Sequence, residues 1–375
     1  MPIYANQDLV AQSDEMEGWN TPLNRRASFH NLHRIIRYGF SVRAPDVLKL
    51  TSCIDARIAE LGSVQQMCSS DFFSAMVVLR GEQLVYEQYA PDFAPHQAHT
   101  IMSITKTMTH LIMGRCVEDG LIDLNAKVCD YLPEIGSGYA DAIIQNVLDM
   151  NIVNDYSEDY SDLHTTALLH NASMGWRLPA ANVRLTSNRE FLCTIGSNDL
   201  LNRSGEVNYK SASTDVLAWI AERVSGQALR DHLIRIVEAA GIEHTFYMST
   251  DHTAVPNTNG GACLSPRDLA RLGLIFARRG RGINGKLVGS HTFMDAARRC
   301  TGPTYPPPDN HIHYGNQLKT NGRWVGHGGW GGQLLMVDPE TTTVVVFFSV
   351  LENQSASDDN HSRAIVQMAE EVIGC

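Results

Sequence analysis

Segments with the pattern of buried β-strands occur near both ends of this chain and are scarce in its middle. Residues 75–80 and 83–89 are apolar or alternating, and a turn at Gly81 separates them, which predicts a β-hairpin. Residues 333–337 and 343–349 form a second pair of strand-like segments. Because sequential strands usually pair, the economical arrangement is one α/β sheet domain to which both ends of the chain contribute.

The middle of the chain has helical and loop-like patterns, and its clearest helix is at residues 213–224. We therefore predict a helical domain over residues 119–254, inserted into an α/β domain formed by residues 46–118 and 255–375. Residues 1–45 are polar and irregular, and we expect them to form an N-terminal arm over the body of the protein. The predicted fold class is α/β plus all-α: an antiparallel sheet flanked by helices, with an inserted helical domain. Further helices are predicted at residues 46–61, 107–117, 146–149, 266–279 and 362–373.

Composition limits the classes of partner. The 375 residues are 43% hydrophobic, and the formal net charge of −11 arises without any long acidic run. This balance argues for solubility and against a nucleic-acid partner, which would need a basic patch. The stretch Met1–Asp8 lacks the basic start and apolar stretch of a signal peptide, and no segment is apolar enough to span a bilayer. We expect neither nucleic acid nor membrane as a partner.

The eight cysteines are scattered and include no Cys-x-x-Cys, which favours reduced thiols and a cytoplasmic location. Several histidines lie close together in the sequence, but no acids or cysteines accompany them, so hydrogen-bonded or surface histidines are favoured over metal ligands. These pairs are His30 and His33, His96 and His99, and His311 and His313. We predict no metal and no organic cofactor.

Ser103 is the only serine with a lysine, Lys106, three positions later at the start of a predicted helix. Three residues is almost one helical turn, so the ammonium would lie close to the hydroxyl. A buried lysine can act as the base that turns a serine hydroxyl into a nucleophile. The alternative is a capping serine followed by a surface lysine.

Two further segments contain groups that acyl transfer requires. Tyr209 lies in a loop just before the strongest predicted helix and could relay a proton beside a lysine, because the cation favours phenolate. Residues 326–333 are rich in glycine, and a main-chain N–H on such a strand edge, with that of Ser103, could form an oxyanion hole. The alternatives are a packing tyrosine and a flexible hairpin turn.

The order and separation of these segments resemble the superfamily of serine β-lactamases and penicillin-binding proteins, and in particular its class C branch. Tyr209-Lys210-Ser211 stands where that branch usually has Tyr-x-Asn. His327-Gly328-Gly329 stands where it has Lys-Thr-Gly, whose lysine binds the substrate carboxylate. The second departure lowers the expectation of β-lactamase activity, since esterases and amidases of the branch commonly have other residues there.

A closer resemblance, over about residues 70–350, is to the 6-aminohexanoate-dimer hydrolases, which are amidases of nylon oligomers. The segments that carry it are residues 77–81, 102–106, 147–150, 158–160, 175–177, 214–224, 259–261, 267–271, 332–333 and 338–339.

This resemblance implies that Ser103 is the nucleophile, Lys106 its base and Tyr209 the proton donor to the leaving amine. It implies an oxyanion hole from the N–H groups of Ser103 and Trp330, and a loop with Tyr160 that closes over the substrate. The further substrate-binding positions are Asn171, Ser211, Asn259, His327, Gly328 and Gly329. At Asn171 the efficient amidase has an acidic residue that binds the substrate's ammonium, which an amide cannot pair with in the same way.

The predicted function is a serine hydrolase that cleaves small carboxylic esters, linear amides or both through an acyl-enzyme on Ser103. The alternatives are a β-lactamase or D-Ala-D-Ala peptidase of the same fold, and a catalytically silent binding or scaffold protein. A homodimer is expected by resemblance.

Overall fold

The computed structural model describes residues 13–160, 162, 165–178, 184–283 and 285–375. The first twelve residues of the predicted arm lie outside the described residues. The strands are β1 Gly39–Val42, β2 Thr51–Ser52, β3 Phe73–Arg80, β4 Gln83–Tyr89, β5 His99–Thr100, β6 Phe246–Ser249, β7 Ala262–Leu264, β8 His313–Gly315, β9 Leu318–Thr320, β10 Val325–Gly329, β11 Gln333–Asp338 and β12 Thr343–Ser349.

The helices that precede the middle region are α1 Ser13–Gly18, α2 Pro22–Phe29, α3 Leu32–Ile35, α4 Ala56–Glu60, α5 Gly62–Cys68 and α6 Lys106–Glu118. Those of the middle region are α7 Val128–Tyr131, α8 Ile144–Leu148, α9 Thr166–Ser173, α10 Asn188–Leu192, α11 Ser211–Ser225 and α12 Leu229–Ala240. The last ones are α13 Pro266–Ala277, α14 His291–Arg298 and α15 Asp359–Gly374. The 3-10 turn Met102–Thr105 leads into α6.

The main sheet joins the two ends of the chain. Its eight strands have the order β2-β4-β3-β12-β11-β10-β9-β8. Strand β12 pairs with β3 in antiparallel register, with Val346 opposite Val77, so both predicted strand pairs belong to one sheet. Every residue of β11 and β12 is buried, which requires that both faces of the sheet are covered. Helices α13 and α15 both pack on these two strands.

A second, four-stranded sheet has the order β1-β6-β7-β5. It pairs β1, from the predicted arm, with β6, from the predicted helical region. The arm is therefore not irregular, since it also contains α1, α2 and α3. Short strands of this kind are stabilised by partners distant in sequence, and their local patterns are weak.

The predicted helix over residues 46–61 is wrong in its first part. Thr51 instead pairs in parallel with Gln83 of β4, and α4 begins only at Ala56. The side chain of Asp55 accepts a hydrogen bond from the N–H of Arg57 at 3.2 Å and so caps the helix at this point. Sheet pairing and a helix cap thus override the local periodicity. The division of the chain into domains stays a prediction.

Strand β10 runs beside the 3-10 turn, and Gly326 in it fits closely against the neighbouring backbone. A Cβ atom on Gly326 would lie 2.0 Å from the carbonyl oxygen of Leu335, whereas one on Gly328 would meet nothing nearer than 3.7 Å. The approach of β10 to its neighbour β11 therefore requires glycine at the first of these positions.

We expect Gly326→Ala to lower the free energy of unfolding by about 1–3 kcal/mol, because the backbone must shift to relieve the contact. Urea unfolding followed by circular dichroism would measure the loss. Gly328→Ala on the same strand is the matched control and should cost much less. Equal losses for the two variants would contradict this account of β10.

Candidate active site

A cavity of about 510 Å³ opens beside β10 and the 3-10 turn. Its lining includes every predicted site residue except Lys106, which lies beneath Ser103. The predicted residues on the wall are Ser103, Tyr160, Asn171, Tyr209, Ser211, Asn259, His327, Gly328, Gly329 and Trp330. The fold thus brings together residues that the sequence places more than two hundred positions apart.

Ser103 and Lys106 are in direct contact. Lys106 Nζ donates a hydrogen bond to Ser103 Oγ at 2.9 Å. It also donates to Ser211 Oγ at 3.0 Å and to the carbonyl oxygen of Asn259 at 2.6 Å. The ammonium therefore uses its three donors on three segments of the chain, and one of these contacts is the hydroxyl of Ser103.

The lysine side chain is fully buried, and burial lowers the pKa of Lys106 to about 8. The carboxylates of Glu158 and Asp215 oppose this change, because nearby negative charge favours the ammonium. A pKa of about 8 leaves a usable fraction of neutral amine near neutral pH, which a general base requires.

The residue before the serine is held in an uncommon conformation. Met102 has a φ of +45°, in the left-handed region that non-glycine residues rarely occupy. Such a conformation costs about 1–3 kcal/mol and persists only where the surroundings enforce it. The Met102 side chain is buried in a cluster that includes Trp19, Phe29 and Trp176. This packing fixes the turn that presents Ser103 to the cavity.

Tyr209 faces the same lysine. Its ring centroid lies 5.0 Å from Lys106 Nζ, and its buried hydroxyl makes no hydrogen bond of good geometry to any described residue. Burial and the charge of Glu158 raise the pKa of Tyr209 well above its usual value, although Ser103 acts in the opposite sense. At neutral pH the hydroxyl therefore keeps its proton and can donate it.

The end of β10 lies against the backbone that leads to Ser103. A Cβ atom on Gly329 would approach the carbonyl oxygen of Ile101 to 2.7 Å, so only glycine allows this contact. The next residue, Trp330, lines the cavity together with Ser103. The N–H of Ser103 is in the first turn of a helix, where N–H groups have no partner within the helix.

Tyr160 covers part of this wall. Its ring stacks on that of Trp330, with centroids 5.7 Å apart and planes inclined by 30°. The Tyr160 residue is nevertheless 44% exposed, which is consistent with a position at the mouth of the cavity.

Two predicted substrate-binding side chains are occupied by contacts within the protein. Asn259 Nδ2 donates to Asp215 Oδ2 at 2.6 Å, while the carbonyl of Asn259 holds Lys106. His327 Nδ1 donates to the Gly328 carbonyl at 2.6 Å, and its Nε2 accepts from the hydroxyl of Tyr314 at 3.2 Å. Burial lowers the pKa of His327 well below its usual value, so the ring is neutral and cannot pair with a carboxylate as an ammonium does.

The other predicted substrate-binding residues differ in how many contacts they already make within the protein. Ser211 is buried and holds Lys106, and its N–H donates to a carboxylate oxygen of Glu158. Asn171 is half-buried on α9 and faces the cavity. Gly328 and Gly329 contribute backbone to the wall.

A family model described as Beta-lactamase matches residues 73–369. A 6-aminohexanoate-dimer hydrolase from Paenarthrobacter ureafaciens is 31% identical over 362 residues, which cover 91% of this chain and 89% of the relative. The chain belongs to the β-lactamase family. The resemblance found in the sequence is thereby confirmed, and the protein is a serine hydrolase.

Solved structures show the same fold. A Bacillus anthracis protein that carries 6-aminohexanoate-dimer hydrolase as a provisional name superposes with a TM-score of 0.82 at 20% identity, over 98% of this chain and 97% of that one. EstCE1, described as a hydrolase with promiscuous acyltransferase activity, gives a TM-score of 0.58 at 16% identity, over 84% and 97%. The predicted fold class of the β-lactamase family is thus confirmed.

Four residues of this β-lactamase-family site were given no role by the sequence. Glu158 and Asp215 lie within segments that carried the family resemblance, so a signal for them existed. Lys319 and Tyr305 also line the cavity, but nothing in their sequence surroundings distinguishes them. Asp215 is the buried centre of a network and accepts hydrogen bonds from His170, Asn188, Thr258 and Asn259.

Within the described part of the chain, no group of three or more histidine, cysteine, aspartate or glutamate residues is arranged to hold a metal ion. No helix there combines the length and apolar character needed to cross a bilayer. All eight cysteines are free thiols.

The lowered pKa of Lys106 predicts how the reactivity of Ser103 changes with pH. Only the neutral amine can accept the serine proton, so the rate of labelling by a fluorophosphonate should rise with pH up to about 8 and level off above it. Glu158→Gln removes a charge that raises the pKa of Lys106, so the midpoint should move to lower pH. Glu60→Gln, at an exposed position, is the control. A midpoint that stays unchanged in Glu158→Gln would contradict the electrostatic account.

Proposed function

We propose that the protein cleaves small carboxylic esters and linear amides through an acyl-enzyme on Ser103. The observation that carries this proposal is the 2.9 Å contact between Ser103 Oγ and the buried amine of Lys106, whose pKa is lowered to about 8. A serine hydroxyl is a weak nucleophile until such a base takes its proton.

In the first step neutral Lys106 accepts the Ser103 proton, and Ser103 Oγ attacks the carbonyl carbon of the substrate. The negative charge that develops on the carbonyl oxygen is stabilised by the N–H groups of Ser103 and Trp330. Removal of one such donor typically costs about 10²–10³ in rate, which shows how much charge stabilisation these groups supply.

Collapse of the tetrahedral intermediate breaks the bond to the leaving group. Tyr209 is the proton donor in this step, because its raised pKa keeps the hydroxyl protonated and the hydroxyl has no competing partner of good geometry among the described residues. Protonated Lys106, 5.0 Å from the ring centroid, can then restore the tyrosine proton. Water releases the acyl group by the reverse sequence of proton transfers.

The substrate is a small molecule, consistent with a cavity of about 510 Å³. The name of the Paenarthrobacter relative assigns it the 6-aminohexanoate dimer, a linear amide. Asn171 faces the cavity where the resemblance places an acidic residue that binds the substrate's ammonium. An amide cannot replace that carboxylate, so we expect weak activity on the nylon dimer and unaffected activity on esters. A cytoplasmic location and a homodimer stay predictions.

Ser103→Ala should lower kcat for p-nitrophenyl esters by at least about a thousand-fold, because loss of the nucleophile removes the covalent route. Ser69→Ala, at an exposed position, should keep full activity. A panel with the 6-aminohexanoate dimer and nitrocefin tests the alternatives. Nitrocefin turnover that matches ester turnover would favour a β-lactamase, and unaltered ester turnover in Ser103→Ala would refute the proposal.

Tyr209→Phe should reduce kcat for amides by about 10²–10⁴, within the usual range of general acid catalysis, and reduce it less for phenyl esters. The reason is that an amine leaves poorly without a proton, whereas a nitrophenolate leaves readily. Steady-state kinetics on an anilide and an ester of the same acyl group would measure both effects. Equal losses on the two substrates would argue against a donor role.

A further inference from the structure

Lys319 places a second ammonium group in the cavity. The residue belongs to β9, which pairs with β10, and its Nζ points past Gly328: a Cβ atom on that glycine would lie 3.7 Å from it. Among the described residues, none accepts a hydrogen bond from Lys319 Nζ or forms an ion pair with it. Its close neighbour is the ring of Tyr305, whose centroid is 4.5 Å away.

The hydroxyl of Tyr305 lacks a partner too. Its oxygen is buried and makes no hydrogen bond to any described residue. A buried polar group without a hydrogen-bond partner costs free energy. A hydroxyl without such a partner and an ammonium without an acceptor on the same wall therefore indicate a ligand that supplies acceptors. A carboxylate offers two oxygens, enough to accept from both groups.

The carboxylates of the protein do not fill this role. Burial lowers the pKa of Lys319, and Asp309, which also lines the cavity, acts in the opposite sense; its carboxylate, however, pairs with Arg363 at 3.3 Å. Burial lowers the pKa of Lys319 to about 8, so the amine is still largely charged at pH 7. His327, the neighbour of Gly328, is neutral and already bonded on both ring nitrogens.

The position of Lys319 and Tyr305 indicates which end of the substrate they would contact. Tyr305 is close enough to Tyr209 to raise its pKa, and the Tyr209 ring is 6.1 Å from that of His327. Tyr209 is the proposed proton donor to the leaving group. Gly328 precedes Trp330 by two residues, or roughly 7 Å of extended strand, so the ammonium lies several bonds from the oxyanion position.

We propose that Lys319 and Tyr305 form a subsite for a carboxylate on the leaving group, so that the preferred substrates release an acid-bearing amine, alcohol or thiol. The assignment rests on the proposed function, because it assumes that Tyr209 donates its proton to the leaving group and therefore lies on that side of the substrate. Substrate selection by this subsite would be separate from the chemistry at Ser103.

A matched pair of thioesters tests the subsite: S-butyryl 4-mercaptobutanoate and its neutral primary amide. Their acyl group is the same and their thiols have similar basicity, so the ratio of kcat/KM for acid over amide reports the carboxylate contact. The wild-type protein should favour the acid. In Lys319→Met this ratio should fall by roughly 10- to 100-fold, the range of a charge-assisted hydrogen bond. Any effect of the Lys319 substitution on Lys106 changes kcat/KM for both substrates alike, so it cancels in the ratio.

Lys319→Arg, which keeps the charge, should retain most of the preference, and Tyr305→Phe should lower the ratio several-fold. Lys127→Met, at an exposed lysine paired with Asp141 and not on the cavity wall, is the control and should leave the ratio unchanged. A wild-type ratio near one, or a ratio unaltered in Lys319→Met, overturns the subsite while the hydrolase function stands. Failure of the wild type to cleave either thioester, with no labelling of Ser103, would instead refute the proposed function.

Discussion

The burial of one ammonium group organises this molecule. Lys106 is fully buried, and a buried charge requires hydrogen-bond acceptors. It finds them on three segments: the 3-10 turn with Ser103, the start of α11 at Ser211, and the loop before β7 at Asn259. Asp215 holds the last of these in place through two hydrogen bonds. The same contacts that make the buried lysine tolerable also bring its nitrogen to the serine.

The glycines of β10 make a complementary contribution. Gly326 and Gly329 let the strand approach β11 and the backbone at Ile101 more closely than any side chain would permit. The strand therefore presents main-chain groups to the cavity. Gly328, which has more space around it, leaves room for a side chain from the adjacent strand, and Lys319 uses that room.

Much of the fold and part of the candidate site could be predicted from the sequence, because the sequence signals for them are local. The hairpin of β3 and β4, the strands β11 and β12 and the helix α13 follow from periodicity. The closeness of Ser103 and Lys106 follows from helical geometry. Two features of the site depend on strand pairing. His327 has no free hydrogen-bond donor, and Lys319 lies beside Gly328. Nothing in a single sequence specifies the pairing of β9 with β10, so the position of Lys319 beside Gly328 could not be predicted.

The pairing of β3 with β12 has a consequence for synthesis. Strand β3 begins at Phe73 and its partner ends at Ser349, so the ribosome must translate nearly the whole catalytic fold before the central sheet can close. Contacts of such long range are slow to form, and until then β3 has an unpaired apolar edge. The hairpin of β3 and β4 in a nascent chain thus needs protection from aggregation until β12 has been translated.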